Sequence, residues 1–182
     1  MMERIDTPLD GLVLLRPRIF GDDRGHFLET FNQRAFNSLI GEEITFVQDN
    51  ESVSTKDVLR GLHLQTAPHQ QGKLVHVVSG AVLDVCLDIR PSSATFGQHY
   101  KVRLDGSTKE LLWIPPGFAH GFVALEDRTI FAYKCTAYYQ PSAERTILWN
   151  DPELGIEWGV ERPLISPKDL IGGTFRHIME LS

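Results

Sequence analysis

Hydrophobic and polar residues alternate along most of this chain with a period of two, which is typical of β-strands. Clusters of Gly, Asp, Ser and Pro, the residues of tight turns, separate the alternating segments. Strand-like runs that each contain a chemically useful polar residue occur at residues 60–65, 115–122 and 131–134. In full, the alternation predicts short strands at residues 12–16, 44–54, 73–79, 81–88, 99–104, 110–114, 121–125 and 129–137.

Helical patterns are few in comparison. Residues 32–39 have the period of one short helix. Residues 151–154 and 167–171 are expected to form single helical turns, the second of them capped by Ser166. Residues after about 172 look like a loosely attached tail. Many short strands with few helices favour an antiparallel sandwich or barrel, and an all-β jelly roll fits best, because its interior is a natural ligand cavity.

The composition is that of an ordinary globular protein. The 182 residues are most simply one domain, 1–182, with 42% apolar and 23% charged residues. We expect a soluble, cytoplasmic protein, because the sequence contains neither a membrane-length apolar run nor a signal peptide. The net charge of -6 argues against nucleic-acid binding but permits an anionic small molecule held by local arginines. Cys86 and Cys135 lie in apolar runs, which favours two buried free thiols over a disulfide.

The first strand-like run contains a candidate general base. His63 is flanked by Leu62 and Leu64, so strand geometry places its imidazole on the face opposite both leucines. An imidazole titrates near neutral pH, which suits proton abstraction, although a lone histidine on a strand is often structural. Asp169 is a candidate partner for the second ring nitrogen, but nothing in the spacing shows this contact.

Three further residues extend this chemistry, and each also has an ordinary structural explanation. Lys73 begins an apolar strand, where it either extends its ammonium to the surface or stabilises a developing oxyanion. Tyr133 is either a core tyrosine or, opposite His63, a general acid that stays protonated at neutral pH. His120 follows a Pro-Pro-Gly turn that holds it in place, as a catalytic residue, a binding residue or a zinc ligand.

Other polar residues suit a ligand that contains both phosphate and a base. Arg24, Arg60 and Lys168 are candidates for phosphate binding, the two arginines as forked donors. Gln48 and Asn50 share one strand face, from which both amides can hydrogen-bond a base. Each residue taken singly also fits an ordinary surface position, and it is their coincidence that favours a binding site.

The seven histidines do not form a metal-binding motif. The sequence has no His-x-His pair, and Gln65 stands where a second histidine would follow His63. There is also no Gly-rich loop for a dinucleotide. We therefore predict neither a metal nor an organic cofactor.

These motifs together resemble the dTDP-4-dehydrorhamnose 3,5-epimerase family. The similarity spans roughly residues 8–170 in the order that the family has, which is nearly the whole chain. The segments that resemble the family are residues 22–29, 48–52, 59–65, 72–75, 84–90, 95–97, 113–122, 133–136, 149–152 and 166–169.

The resemblance implies a cupin-type jelly roll, assembled as a homodimer that shares strands, acting on a dTDP-4-dehydro-6-deoxyhexose at both carbons beside the ketone. It implies that His63 is the base with Asp169 as its partner, that Tyr133 is the acid, and that Lys73 steadies the enolate oxygen. Tyr139 corresponds to a residue that stacks on thymine. The full set implied to contact the nucleotide sugar is Arg24, Phe27, Glu29, Gln48, Asp49, Asn50, Arg60, Lys73, His120, Tyr139, Glu144 and Lys168.

Three other functions stay open at the level of sequence. A relative could epimerise one carbon only, and a jelly roll could bind a nucleotide sugar without catalysis. A metal-dependent cupin oxygenase is the third. The set of His63, Lys73 and Tyr133 argues against the pure binding module, because binding alone needs neither a base nor an acid.

Overall fold

The computed structural model describes residues 2–181, in which strands predominate. The helices are α1 (Gln33–Ile40), α2 (Pro167–Leu170) and α3 (Phe175–Glu180), with a 3-10 turn at Pro141–Ala143. The strands are β1 (Met2–Asp6), β2 (Val13–Pro17), β3 (Phe20–Asp22), β4 (Gly25–Phe27), β5 (Gln48–Ser54), β6 (Val58–Gln65), β7 (Lys73–Ser79), β8 (Ala81–Asp88), β9 (His99–Asp105), β10 (Leu111–Ile114), β11 (Phe118–Ala124), β12 (Thr129–Cys135), β13 (Glu144–Thr146) and β14 (Leu164–Ile165).

Two larger sheets and one small ribbon contain these strands. The first sheet has the order β1-β2-β10-β7-β12-β5, and all its neighbouring strands are antiparallel. The second sheet has the order β13-β6-β11-β8-β9, and β14 pairs with β6 in parallel. The strands β3 and β4 form a separate two-stranded ribbon. This is the predicted antiparallel jelly roll.

The main core fills the space between the two sheets. Alternate residues of each strand point into this space, because successive side chains of a strand lie on opposite faces. Val75 and Phe131 reach inward from the first sheet, and Val82, Leu104 and Phe122 reach inward from the second. Phe122 and Phe131 stack across the gap with ring centroids 4.2 Å apart.

The outer faces of both sheets are covered as well. On the first sheet, Phe36 of α1 packs edge-on against Trp113, with ring centroids 5.3 Å apart. On the second sheet, Trp158 and the C-terminal residues Phe175 and Ile178 bury the outward-facing leucines and valines. A pocket between the two sheets is therefore lined by residues of their inner faces.

Most of the strands expected from the alternation are present. The segments 73–79 and 81–88 coincide with β7 and β8, and the run at 60–65 lies within β6. The strand predicted at 44–54 begins only at Gln48, where its pairing with β12 starts, and residues 44 and 46 before it pack into the aromatic cluster around α1. The capped turn after Ser166 is confirmed as α2.

The C-terminal prediction was wrong, because residues after 172 are not a loose tail. Phe175 and Ile178 of α3 are 6% and 5% exposed and belong to the outer core. The Asp151 carboxylate accepts a hydrogen bond from the Phe175 backbone amide at 2.7 Å, which fixes the start of α3. The predicted helical turn at 151–154 is a hydrogen-bonded turn that presents this carboxylate, and it is not a helix.

Short strands with little alternation were missed by the sequence analysis. β1, β3, β4, β13 and β14 have between two and five residues each. Both cysteines are buried free thiols, as predicted. None of the helices within residues 2–181 has the length and apolarity that crossing a membrane requires.

The packing of α3 gives a direct stability prediction. Phe175→Ala is expected to lower the free energy of unfolding by about 3–5 kcal/mol, because it removes a buried ring from the outer core. The matched control is Arg176→Ala, since that side chain is 76% exposed in a 3.6 Å ion pair and should change stability by less than about 0.5 kcal/mol. Equal denaturation midpoints for the Phe175→Ala variant and the parent chain would contradict this packing.

Candidate active site

A pocket of about 280 Å³ lies between the two sheets, at the end where the inward-facing residues become polar. Both sheets contribute, β5, β7 and β12 from one side and β6 and β13 from the other. Its lining consists of Gln48, Asn50, His63, Leu64, Gln65, Gln71, Lys73, Tyr133, Cys135, Tyr139 and Glu144.

His63 points into this pocket from β6. Its neighbours Leu62 and Leu64 belong to the outer core, so the imidazole lies on the opposite face, as the alternation predicts. The ring nitrogen Nε2 lies 2.6 Å from Oδ1 of Asp169, although 106 positions separate the two residues in the chain. The other ring nitrogen, Nδ1, is therefore the one available to a ligand.

Asp169 is held on α2, behind the imidazole. Its side chain is 4% exposed, and its second oxygen accepts a 3.5 Å hydrogen bond from the Gly61 amide. Burial acts to raise the pKa of this carboxyl, but the hydrogen bonds from His63, Gly61 and Ser166 and the charge of His63 bring the pKa below its usual value. Asp169 is thus an anion at neutral pH, and it can orient the imidazole and stabilise its protonated form.

Lys73 enters the pocket from β7 on the first sheet. It shares the inner face with Val75 and Val77, so its stem passes through apolar surroundings. Burial lowers the pKa of Lys73, while the negative charges of Glu144 and Asp84 and the thiols of both cysteines oppose that shift. The result is a desolvated ammonium, which interacts strongly with any oxyanion that forms beside it.

Tyr133 faces the same pocket from β12, between Asn50 on β5 and Val75 on β7. Burial raises the pKa of the phenol, and the neighbouring Arg60 only partly opposes this. The hydroxyl consequently remains protonated at neutral pH. Because Tyr133 and His63 belong to opposite sheets, a ligand in the pocket has a proton acceptor on one side and a donor on the other.

Hydrogen bonds connect the polar residues at the rim of the pocket. The Tyr139 amide donates to Gln48 Oε1 at 3.0 Å, and Gln48 donates in turn to Asn50 at 3.0 Å. The Tyr139 hydroxyl donates to Glu144 at 2.5 Å, and Lys168 also donates to the same carboxylate oxygen of Glu144. Five predicted contact residues therefore form one continuous rim.

Two predicted contact residues lie next to the pocket and do not line it. Arg60 donates from Nε to Ser54 at 3.2 Å, which leaves both terminal nitrogens of the guanidinium for a ligand. His120 is buried, and its Nε2 lies 2.9 Å from Asp84. Across residues 2–181, no three side chains of the types that bind metals converge in one group.

Four predicted contact residues lie away from the pocket. Arg24 and Phe27 are on the exposed ribbon, where the Arg24 side chain is 90% exposed and pairs with Asp22. Phe27 and Glu29 line a different cavity on the outer side of the first sheet. Asp49 lies on the outer face of β5, because it alternates with Gln48 and Asn50, and it forms a 2.9 Å ion pair with Lys134.

The sequence analysis missed Asp84, which is fully buried on β8 and holds His120. The signal was present, since a carboxylate inside the apolar run 81–88 has to be paired if the strand is buried. Gln71 and Cys135 were also missed as lining residues. Neither has a chemical signature in the sequence, because an amide in a loop and a thiol in a strand are common core and surface residues.

Comparisons with known proteins identify the family of this chain. A family model described as dTDP-4-dehydrorhamnose 3,5-epimerase matches residues 6–177. A protein of that name from Salmonella typhimurium is 52% identical over 170 residues, which covers 93% of each chain.

Comparison with solved structures leads to the same family. The Legionella pneumophila dTDP-6-deoxy-D-glucose-3,5-epimerase, in complex with dTDP-4-keto-L-rhamnose, is 47% identical with a TM-score of 0.94, covering 98% of this chain and 95% of that one. A 3'-monoepimerase from Streptomyces bikiniensis, in complex with dTDP-quinovose, is 32% identical with a TM-score of 0.91. The match covers 96% of this chain and 89% of that one. By both sequence and structure, the chain belongs to the dTDP-4-dehydrorhamnose 3,5-epimerase family.

Proposed function

We propose that this chain is an isomerase that converts dTDP-4-dehydro-6-deoxy-D-glucose to dTDP-4-dehydro-L-rhamnose by epimerising C3 and C5, without a cofactor. The observation that carries the proposal is the convergence of His63, Lys73 and Tyr133 from two sheets on one pocket. A base, a cation and an acid around one ligand are the groups that epimerisation beside a ketone requires.

Proton removal is the first step of the proposed reaction. The C4 ketone acidifies the hydrogens on C3 and C5, so a single base can serve both carbons in turn. His63 accepts the proton at Nδ1, because its Nε2 already bonds to Asp169. The buried carboxylate then stabilises the imidazolium, and a positioned base of this kind contributes roughly 10²–10⁴-fold to the rate.

The electron pair left by the proton moves onto the ketone oxygen to form an enolate. Lys73 is the cation that stabilises this charge, and its burial makes the interaction stronger than it would be in water. Tyr133 then returns a proton to the carbon from the opposite face, which inverts the configuration. The phenol is suited to this role because burial raises its pKa and keeps it protonated.

Nucleotide recognition is proposed for the rim and for the residues beside it. Gln48 and Asn50 present amides to the base, and Tyr139 provides an aromatic face for stacking. Arg60 and Lys168 provide positive charge for the diphosphate, and Glu144 links Lys168 to the rest of the rim. His120, held by Asp84, is proposed to contact the substrate from deeper between the sheets.

A homodimer is proposed because three predicted contact residues cannot be assigned to the pocket of their own chain. Arg24 and Phe27 extend from the body of the protein on the exposed ribbon, and Glu29 lines a separate cavity. A second copy that receives this ribbon would bring the arginine and the ring to its pocket. Asp49, which is paired with Lys134, is not assigned a substrate contact. We also infer a cytoplasmic location.

Epimerisation at one carbon only is the second candidate, favoured by the similarity to a 3'-monoepimerase at 32% identity. Proton NMR of dTDP-4-dehydro-6-deoxy-D-glucose incubated with the protein in D₂O separates the two functions. We expect deuterium at both C3 and C5. Label at one carbon would support the monoepimerase, and binding without any label would contradict catalysis altogether.

Substitution of the acid and of the base should have different effects. His63→Ala is expected to abolish deuterium exchange at both carbons, because it removes the imidazole that faces the pocket from β6 as the proposed base. Tyr133→Phe is expected to reduce product formation more than exchange, because it removes only the proton donor. The control is Tyr138→Phe, whose side chain belongs to a residue that is 71% exposed. Normal turnover by His63→Ala would exclude the mechanism.

The pH dependence of kcat/KM should identify Lys73 as the group that limits activity at alkaline pH. Activity needs the protonated amine, and burial lowers its pKa below that of a solvated lysine, so activity should fall at a pH below about 10.4. Burial raises the pKa of Tyr133, which shifts its own ionisation in the opposite direction, toward higher pH. Lys73→Arg is expected to move the alkaline limb of kcat/KM to higher pH, at a lower maximum. Lys134→Arg, on the outer face, is the control, and an unmoved limb in Lys73→Arg would refute the assignment.

A further inference from the structure

The helical turn that holds Asp169 is not fixed by hydrophobic packing. Asp169 is the only buried residue of α2. The apolar residues that follow it point outward, with Leu170 56% exposed and Ile171 84% exposed. A turn without a buried apolar side chain lacks the contacts that normally hold a short helix in place. Its position must therefore come from backbone anchors and polar contacts.

Backbone hydrogen bonds hold the chain on either side of this turn. Before it, the Leu164 amide donates to the Asp57 carbonyl at 2.8 Å, where β14 joins β6. After it, the Gly173 amide donates to the Thr146 carbonyl at 3.0 Å. Between these anchors, two α2 side chains reach neighbouring strands: Asp169 contacts His63 and the Gly61 amide of β6, and Lys168 donates to Glu144 of β13.

Glu144 is a firm point of attachment for this lysine. Its strand β13 pairs with β6 so that Glu144 lies opposite Gln65 and Thr146 lies opposite His63. The Glu144 side chain is 14% exposed and also accepts the hydroxyl of Tyr139. Burial opposes ionisation, but the hydrogen bonds from Lys168 and Tyr139 lower the pKa of Glu144 below its usual value. The carboxylate is charged at neutral pH.

We infer that the Glu144–Lys168 ion pair is a positioning clamp that holds Asp169 against His63. The contacts form a closed ring: His63 on β6 bonds to Asp169 on α2, the adjacent Lys168 bonds to Glu144 on β13, and β13 pairs with β6. Each member of the ring constrains the others. The catalytic consequence rests on the proposed function, whereas the effect on the His63–Asp169 contact does not.

This role differs from direct binding of the diphosphate by Lys168. A clamp acts before any ligand arrives, because it sets the 2.6 Å contact in the free protein. Loss of the clamp leaves the Asp169 hydrogen bonds themselves as the remaining side-chain contacts of α2 with β6, and lets the carboxylate move more easily away from the imidazole. A misplacement of about 1 Å in catalytic geometry can reduce the rate roughly 100-fold.

Proton NMR of the substrate-free full chain tests the clamp. The ring proton that joins His63 to Asp169 should give a downfield signal, identified by its absence in Asp169→Asn. We expect Lys168→Met to remove or broaden that signal and Lys168→Arg to retain it, since arginine can still pair with Glu144. Lys101→Met is the matched control, because Lys101 pairs with Glu157 at 3.7 Å away from the pocket. An unchanged signal in Lys168→Met, or an equal loss in Lys101→Met, would overturn the proposal.

Steady-state kinetics gives an independent reading of the same clamp. Lys168→Met and Glu144→Gln should each lower kcat for deuterium exchange by about 10- to 100-fold, and the double variant should be no worse than Glu144→Gln alone. A rise in KM with kcat intact would show that Lys168 only binds substrate, and would overturn the clamp. If the parent chain proves inactive on the nucleotide sugar, the proposed function fails. The NMR comparison still tests whether the Glu144–Lys168 pair positions Asp169.

Discussion

The alternation of strand residues between two faces is the constraint on which the rest of this structure depends. Two sheets pack face to face, and their inner faces are apolar over most of their area. At one end, the same inward register places His63, Lys73 and Tyr133 where other strands have valine or phenylalanine. A slip of one residue in β6, β7 or β12 would turn the proposed catalytic side chain of that strand outward, so the register of the sheets determines the site.

Polar groups placed between two sheets lose water and need partners from within the protein. The two inward histidines meet this requirement in the same way. His63 and His120 lie opposite each other on adjacent strands, and each has a carboxylate, Asp169 or Asp84, within 2.9 Å. Asp84 comes from the neighbouring strand β8, whereas Asp169 comes from a single helical turn. The proposed base is thus oriented by a helical turn in which no apolar side chain is buried, which is why a clamp on that turn matters.

The sequence predicted the central strands and missed the elements that long-range contacts define. The segments 73–79 and 81–88 could be read directly, because a buried strand imposes its own alternation. β13 and β14 have too few residues to show a period, and they exist because β6 offers them hydrogen bonds. The direction in which the His63 side chain points could be predicted from its two leucine neighbours. Its contact with Asp169, 106 positions away, could come only from resemblance or from the structure.

Burial affects the acid and the cation of this site in opposite ways. Desolvation disfavours the charged form of any group, so it raises the pKa of Tyr133 and lowers the pKa of Lys73. The first effect helps a proton donor, but the second works against a residue that must stay positive. Glu144 and Asp84, together with the two cysteines, oppose part of that loss, since they favour the protonated lysine. A carboxylate near a site for an anionic substrate is otherwise repulsive, so these two residues have an electrostatic function besides the hydrogen bonds that they accept.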